Sequence, residues 1–357
     1  MQNSTRAFLL GPLLKGVSRS FYLTMRVLPA GMRDPVGEAY LLARAADTIA
    51  DTALIPPERR LALLLALRER IDGTTTDNRA LAHLAGEVAG QQTHSDEKLL
   101  LESLDGALDI LAQLDEGDRA AVRGVVATLT EGMEFDLRTF PDEQSGEVKA
   151  LETRDDLDRY TYLVAGCVGE FWTQMTYRHV PGALAPSLEA TLCARGVRFG
   201  KALQLVNVLR DCGKDLRIGR CYLPVSMLGE LGLDARALMQ PGASLRAQPV
   251  MFDLVRVALE HFRAAIDYTF ALPRLSLRLR LACLWPILIG LETLDRLVAN
   301  EDWLDPAKTS KVTRHDVYRI LACSTVLAPS NALLNRWFTR LIDGIESKMH
   351  AAIAARQ

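Results

Sequence analysis

The stretch Tyr40–Asp51, YLLARAADTIAD, is where the reading of this chain starts. Its apolar residues Leu41, Leu42, Ala45, Ile49 and Ala50 leave little polar surface, as in the middle of a buried helix. Into that run the sequence sets Arg44, Asp47 and Asp51. Residues four apart on an α-helix differ by roughly 40° in direction and about 6 Å along the axis. Asp47 and Asp51 therefore point the same way, one turn apart, and Arg44 lies near the same face. A second stretch, Gln204–Asp215 (QLVNVLRDCGKD), repeats the device. Asn207, Asp211 and Asp215 form a ladder of three oxygen ligands, with Arg210 beside it.

This pattern predicts two helices that face each other across a cavity and hold Mg²⁺ and a diphosphate between them. Mg²⁺ takes hard oxygen ligands, usually one or two carboxylates with water and substrate phosphate. Two such rows bind a cluster of ions only when an anion bridges them. A single D-x-x-x-D is more often a solvated helix face. Two copies, each beside an arginine and each in apolar surroundings where an unpaired carboxylate is costly, argue for a shared site.

Working outward, the 357 residues are 49% hydrophobic, which supplies a sizeable core. The formal net charge is −2, with no basic bias, so nucleic acid is not suggested as a partner. Cys167, Cys193, Cys212, Cys221, Cys283 and Cys323 form no C-x-x-C pair. The expectation is reduced thiols in a cytoplasmic protein rather than a zinc site or a disulfide framework. No secretory signal is read at the N-terminus, and no run reaches the roughly 18 apolar residues of a spanning helix. The chain is expected to be soluble or peripheral to a membrane, with Leu281–Leu291 and the apolar N-terminus as surfaces for such contact.

Helix follows helix. A short opening helix lies within residues 1–28. Asp34 and Pro35 fit the cap and first turn of the next helix, which carries Tyr40–Asp51 and ends before Pro56-Pro57. Further helices are expected at 58–72, 78–91, 96–114, 117–139, 154–178 and 187–215. Residues 218–224 read as irregular and 225–250 as an excursion with short helices. Helices resume at 251–270, 276–299, 313–328 and 330–353. Strand signals are nearly absent. The expected fold class is all-α, one domain over 1–357 with its cavity between long helices.

Other residues leave two readings open. Ser18-Arg19-Ser20-Phe21 is either a phosphate contact through Arg19 or an ordinary cap followed by a core phenylalanine. Arg210 and Arg220 either pair on the surface or meet a diphosphate. Gly166 and Gly169 each cost a helix roughly 1 kcal/mol relative to alanine, so close packing or room for a ligand must compensate; packing is the commoner cause. Tyr160 needs a hydroxyl partner if buried. No two histidines have metal-ligand spacing, and there is no G-x-S-x-G, Walker or G-x-G-x-x-G motif.

Ser18–Phe21, Tyr40–Asp51, Tyr160–Gly169 and Gln204–Asp215 followed by Gly219–Pro224 occur in the order seen in the squalene/phytoene synthase family, which the chain resembles over roughly residues 16–330. The resemblance implies the class I isoprenoid synthase fold with a central active-site cavity, and head-to-head condensation of two prenyl diphosphates. It implies that Asp47 and Asp51 are the first Mg²⁺ motif, that Asp211 and Asp215 are the second, and that Asn207 lines the same site. Ser18, Arg19, Phe21, Tyr40, Arg44, Gln204 and Arg210 match positions near the diphosphates, and Tyr160 matches the tyrosine of proton removal. A non-catalytic relative would be expected to have lost metal-binding carboxylates, and all four aspartates remain.

Within the family the spelling is closest to the squalene synthases. The first motif is Asp47-Thr48-Ile49-Ala50-Asp51, Ser18–Phe21 matches theirs, and the C-terminal part with Leu291–Leu294, Lys311 and Arg314 resembles their helices near the cofactor. That implies two molecules of farnesyl diphosphate as substrate, NADPH as reductant, and Asn207, Arg220, Lys311 and Arg314 as its contacts. A monomer or weak homo-oligomer is expected. The rival expectation is a dehydrosqualene or phytoene synthase, which needs no reductant. The sequence departs from the eukaryotic squalene synthases in two ways: Asp51 has no glutamate before it, and Cys212-Gly213-Lys214 separates the second pair of aspartates; a third departure, the lack of a C-terminal membrane anchor, is an expectation.

Overall fold

The apolar periodicities become helices almost throughout the structure, a computed structural model that describes residues 2–18, 21–75, 86, 88–91 and 94–355. The fold is all-α. Among the described residues the only β pairing is a parallel pair of two-residue strands, with Lys149 opposite Arg220 and Ala150 opposite Cys221. Most of the helix expected at 78–91 lies outside the described residues. The chain forms two compact units. One is Met1–Arg138 with Glu170–Gly182, the other Thr139–Gly169 with Ala183–Gln357.

The first unit is built on the helix Ala30–Ala50, which packs against Pro57–Asp72, Ser95–Glu102 and Leu104–Gln113. Met32, Leu41, Leu42, Ala45 and Ala46 are fully buried. This helix starts four residues before the expected cap. Pro29 is extended (φ −52°, ψ 148°), and its carbonyl accepts from Met32 N–H at 3.1 Å, closing the first turn at once. Pro35 is therefore inside the helix, where it forfeits only the bond to the Gly31 carbonyl. Tyr40–Asp51 is not the middle of the helix but its second half, with Asp51 as the C-cap. The reason lies in the next helix. Arg60, 1% exposed, donates from Nη1 to the Ala50 carbonyl at 2.9 Å. Thr52 Oγ1 donates to the Thr48 carbonyl at 2.6 Å. The orphan carbonyls of the last turn are satisfied there, so the helix stops. The helix expected at 96–114 is two, interrupted at Ser103.

The second unit is built on the helix Glu189–Arg217, which packs most extensively against Ala243–Ala271 and also against Leu277–Val298 and the π-helical segment Tyr162–Gly166. That segment divides the helix expected at 154–178 into Arg154–Thr161 and Cys167–His179. Glycines explain how close the helices come. A Cβ on Gly169 would lie 1.8 Å from the Gly196 carbonyl oxygen, and one on Gly200 would lie 2.0 Å from that of Ala165. Close packing thus compensates for the glycines. The helix expected at 251–270 begins earlier, at Ala243, and carries Pro249 in its second turn.

Leu277–Val298 is a core helix. Leu284, Ile287, Leu288 and Leu291 are fully buried, so Leu281–Leu291 is not the membrane-touching surface expected for it. Among the described residues no helix is long and apolar enough to cross a membrane. All six cysteines are free; Cys212 and Cys221 are buried, and Cys323 is exposed. Burial pushes the Cys221 thiol up to about 12.

Candidate active site

The two acidic rows occupy the same kind of place on their helices. Asp47 and the C-cap Asp51 lie in the last turn of Ala30–Ala50. Asp215 lies in the last turn of Glu189–Arg217, and Asp211 one turn before it. A helix C-terminus carries roughly half a negative charge and favours cations, so a carboxylate there costs about 0.3–1 kcal/mol. The same field adds to the attraction for a bound cation.

In the first unit Arg44 Nη1 donates to Asp47 Oδ2 at 2.5 Å, and its Nη2 donates to Glu97. Burial pulls the Arg44 guanidinium down, but the Asp47 and Glu97 carboxylates outweigh it and hold it above its ordinary value. Tyr40 donates to the Val17 carbonyl at 3.4 Å. Ser18 is 3% exposed and donates to the Leu14 carbonyl. Arg19 lies outside the described residues, as does the side chain of Phe21, the first residue of the helix Phe21–Arg26.

In the second unit the structure brings several of the expected residues together. Asn207 Nδ2 donates to Gln204 Oε1 at 3.2 Å, and Gln204 Nε2 donates to the Tyr160 hydroxyl oxygen at 3.4 Å. Tyr160 is 5% exposed and stacks on Tyr222, with centroids 4.6 Å apart. Tyr222 in turn meets the edge of Phe140 at 5.0 Å. Arg210 Nε donates to both oxygens of Asp211 at 3.1 Å. Arg220 donates to Glu143 at 2.9 Å, both largely buried. The turn before it needs Gly219, whose φ is +85° and whose Cβ would lie 2.7 Å from the Glu147 carbonyl oxygen. Gly213, between the two aspartates, lets the Leu304 backbone approach, since a Cβ there would lie 2.3 Å from its carbonyl oxygen. Lys311 and Arg314 are exposed, and no hydrogen bond or ion pair among the described residues joins them to this row.

Sequence reasoning missed Glu97, Glu143 and Tyr222. The partners Glu97 and Glu143 are far from their arginines in sequence and had no spacing signal. Tyr222 did have one, since it sits between the expected irregular Ile218 and Pro224. One expectation is corrected. The carboxylates are not enclosed by apolar surroundings: the Asp47 side chain is 39% exposed and that of Asp211 27%. The helices bury their other faces, through Ala45, Ala46 and Ile49 in one and Val208, Leu209 and Cys212 in the other.

Among the described residues no group of three or more His, Cys, Asp or Glu side chains converges to hold a metal. Each row instead offers two carboxylates one turn apart. This is the protein share that Mg²⁺ accepts when water and phosphate complete its shell. The donor set and the negative helix ends fit the ion.

The family model for squalene/phytoene synthase matches residues 14–316. A bifunctional lycopene cyclase/phytoene synthase of Pyrenophora tritici-repentis is 25% identical over 326 residues, 91% of this chain and 49% of its own length. The squalene synthase of Dictyostelium discoideum is 26% identical over 256 residues, covering 72% of this chain and 56% of that protein. The chain spans about half or less of the length of the first of these curated relatives. Among solved structures, the complex of TcSQS with BPH1237 superimposes with a TM-score of 0.76 at 23% identity, covering 99% of this chain and 100% of that one. A dehydrosqualene synthase complex gives 0.64 at 20% identity, over 92% and 98%. These likenesses carry the fold, and the family match covers most of the sequence. The chain belongs to the squalene/phytoene synthase family, whose members are prenyltransferases.

Proposed function

We propose that this chain is a squalene synthase, which joins two farnesyl diphosphates head to head into presqualene diphosphate and then reduces that product to squalene with NADPH. The observation that carries the reading is the position of both acidic rows. Each lies at the C-terminal end of a long helix and has an arginine on one carboxylate. That is a poor place for aspartate in a protein that binds no cation, and a good one for Mg²⁺.

Mg²⁺, when bound, would act as a Lewis acid that stabilises the departing diphosphate. Asp47, Asp51, Asp211 and Asp215 would hold it, with Asn207 on the same side of its helix. Arg44 and Arg210, released from their aspartates as the metal arrives, would turn to the diphosphate oxygens. Ser18, Arg19, Phe21 and Tyr40 would line the approach. Loss of diphosphate leaves an allylic cation at C1 of one prenyl chain. The double bond of the second chain attacks it, and a proton leaves as the cyclopropane closes. Tyr160 is assigned the removal of that proton, its oxygen oriented by Gln204. NADPH, when bound, would supply the hydride for the reduction. Arg220 would bind its phosphate only by leaving Glu143, while Lys311 and Arg314 already stand in solvent.

The names of the fungal relatives favour a second reading, a phytoene or dehydrosqualene synthase that ends by proton loss. Purified protein incubated with farnesyl diphosphate and Mg²⁺, with and without NADPH, separates the two. Squalene formed only with NADPH is expected. A C30 product with an extra central double bond, unchanged by NADPH, or a C40 product from geranylgeranyl diphosphate, rejects the first reading.

A further inference from the structure

The second unit carries an apolar corner that the proposed chemistry does not use. Four chain segments meet there around one buried side chain. Arg280, 0% exposed, donates to the carbonyl oxygens of Thr269 at 3.2 Å, Leu272 at 2.9 Å and Ala328 at 2.7 Å, and to Asn331 Oδ1 at 2.5 Å. The knot itself is dry. Large aliphatic side chains a few residues from its contacts are not. Leu275 is 86% exposed, Val326 78%, Leu333 50% and Leu277 39%. Tyr318, 69% exposed, lies two turns before Val326 on the helix Arg314–Leu327 and extends the same outward stripe. Isolated wet leucines are ordinary, but several gathered at one point mark a contact surface.

The charges around the corner say what it contacts. No Asp or Glu occurs in residues 268–291 or 317–342. Arg274 and Arg278 flank Leu275 and Leu277 in the sequence, are exposed, and have no carboxylate partner among the described residues. A second copy of the chain, meeting this face by a two-fold contact, would set those cations against each other. Aliphatic tips beside unneutralised guanidiniums, on segments that carry no carboxylate of their own, instead complement a bilayer. The tips enter the boundary between headgroups and acyl chains, and the cations meet lipid phosphates.

We propose that this corner docks the second unit on the surface of an anionic lipid bilayer. The inference does not rest on the condensation reading, because binding is read without substrate. The test is flotation of the full chain with vesicles of phosphatidylcholine alone and of phosphatidylcholine mixed equally with phosphatidylglycerol. The protein should float with the mixed vesicles, less so at high salt, and weakly with the neutral ones. The pair Leu275→Ser and Val326→Ser, and separately the pair Arg274→Glu and Arg278→Glu, should each weaken binding at least about tenfold. Melting temperature should be unchanged, since all four side chains are exposed. Failure of the wild-type chain to float overturns the proposal. So does flotation that both variant pairs retain in full, which would put the contact elsewhere. Sedimentation showing a wild-type dimer that either pair converts to monomer assigns the corner to self-association and overturns it as well.

Discussion

Asp47, Asp211 and Glu38 are all carboxylates on helices, yet their surroundings give them opposite consequences. Asp47 and Asp211 are half-exposed, near helix ends, and ion-paired to neighbouring arginines. Replacing either by asparagine keeps the shape and removes the charge. Turnover should fall by about two orders of magnitude or more, with circular dichroism and melting temperature nearly unchanged; near-normal turnover in either variant would count against the metal role. Glu38 faces the other way. It is 0% exposed, and neither carboxylate oxygen has a hydrogen-bond partner among the described residues. Burial raises its pKa well above the ordinary value, Arg6 opposes this, and Asp34 adds to it. A group raised on folding contributes stability below its unfolded value of 4.5 and loses that contribution as pH rises through the folded value. Glu38→Leu should therefore stabilise the chain by about 1–3 kcal/mol at neutral pH. Chemical denaturation at about pH 5 and about pH 8 should show a larger gain at the higher pH. His261 runs the other way. Burial first, then Arg198 and Lys201, bring it from 6.5 to about 4. Its contribution is present above 6.5 and is lost as pH falls toward 4. His261→Gln should flatten the melting temperature across that window.

At the scale of the element, the glycines on Glu189–Arg217 set how near its neighbours come. Gly200→Ala would gain roughly 1 kcal/mol of helix propensity. It would also force a methyl group to 2.0 Å from the Ala165 carbonyl oxygen, with backbone on both sides. Overpacking of that kind costs about 1–3 kcal/mol, occasionally more, so the clash wins and the variant should unfold at lower denaturant. Element identity was legible in the sequence wherever an apolar stripe ran for several turns, as in Tyr40–Asp51 and Gln204–Asp215. Element ends were less so. Ala30–Ala50 stops where it does because Arg60, ten residues on, reaches back to the Ala50 carbonyl, and no local signal announces that. The π-helical turn at Tyr162–Gly166 was hidden for a similar reason, since it registers the fit of Gly166 and Ala165 against another helix. In the candidate site, the carboxylates and Asn207 were picked out by their spacing, and Tyr160 and Gln204 only by resemblance to the family. The counter-ions Glu97 and Glu143 were not, because nothing near them in sequence refers to Arg44 or Arg220.

For the molecule as a whole, a cation-binding role for both rows has a thermodynamic signature that needs no turnover. Any ligand that binds only the folded chain stabilises it, by about 2.7 kcal/mol at a hundredfold excess over its dissociation constant. Mg²⁺ with inorganic diphosphate should raise the melting temperature by several degrees, more than either alone. Asp47→Asn and Asp211→Asn should each reduce that shift, and an undiminished shift in both would separate the ions from the aspartates. The six thiols add a practical consequence. Four are sealed in the interior, one is partly covered, and Cys323 stands open on the outward side of the same helix as Tyr318 and Val326. A maleimide dye offered briefly to the native enzyme should find that sulfur first. The unaltered chain thus comes with a single-point optical probe beside the corner assigned to lipid, and its emission colour would report directly whether that side leaves water when vesicles are added.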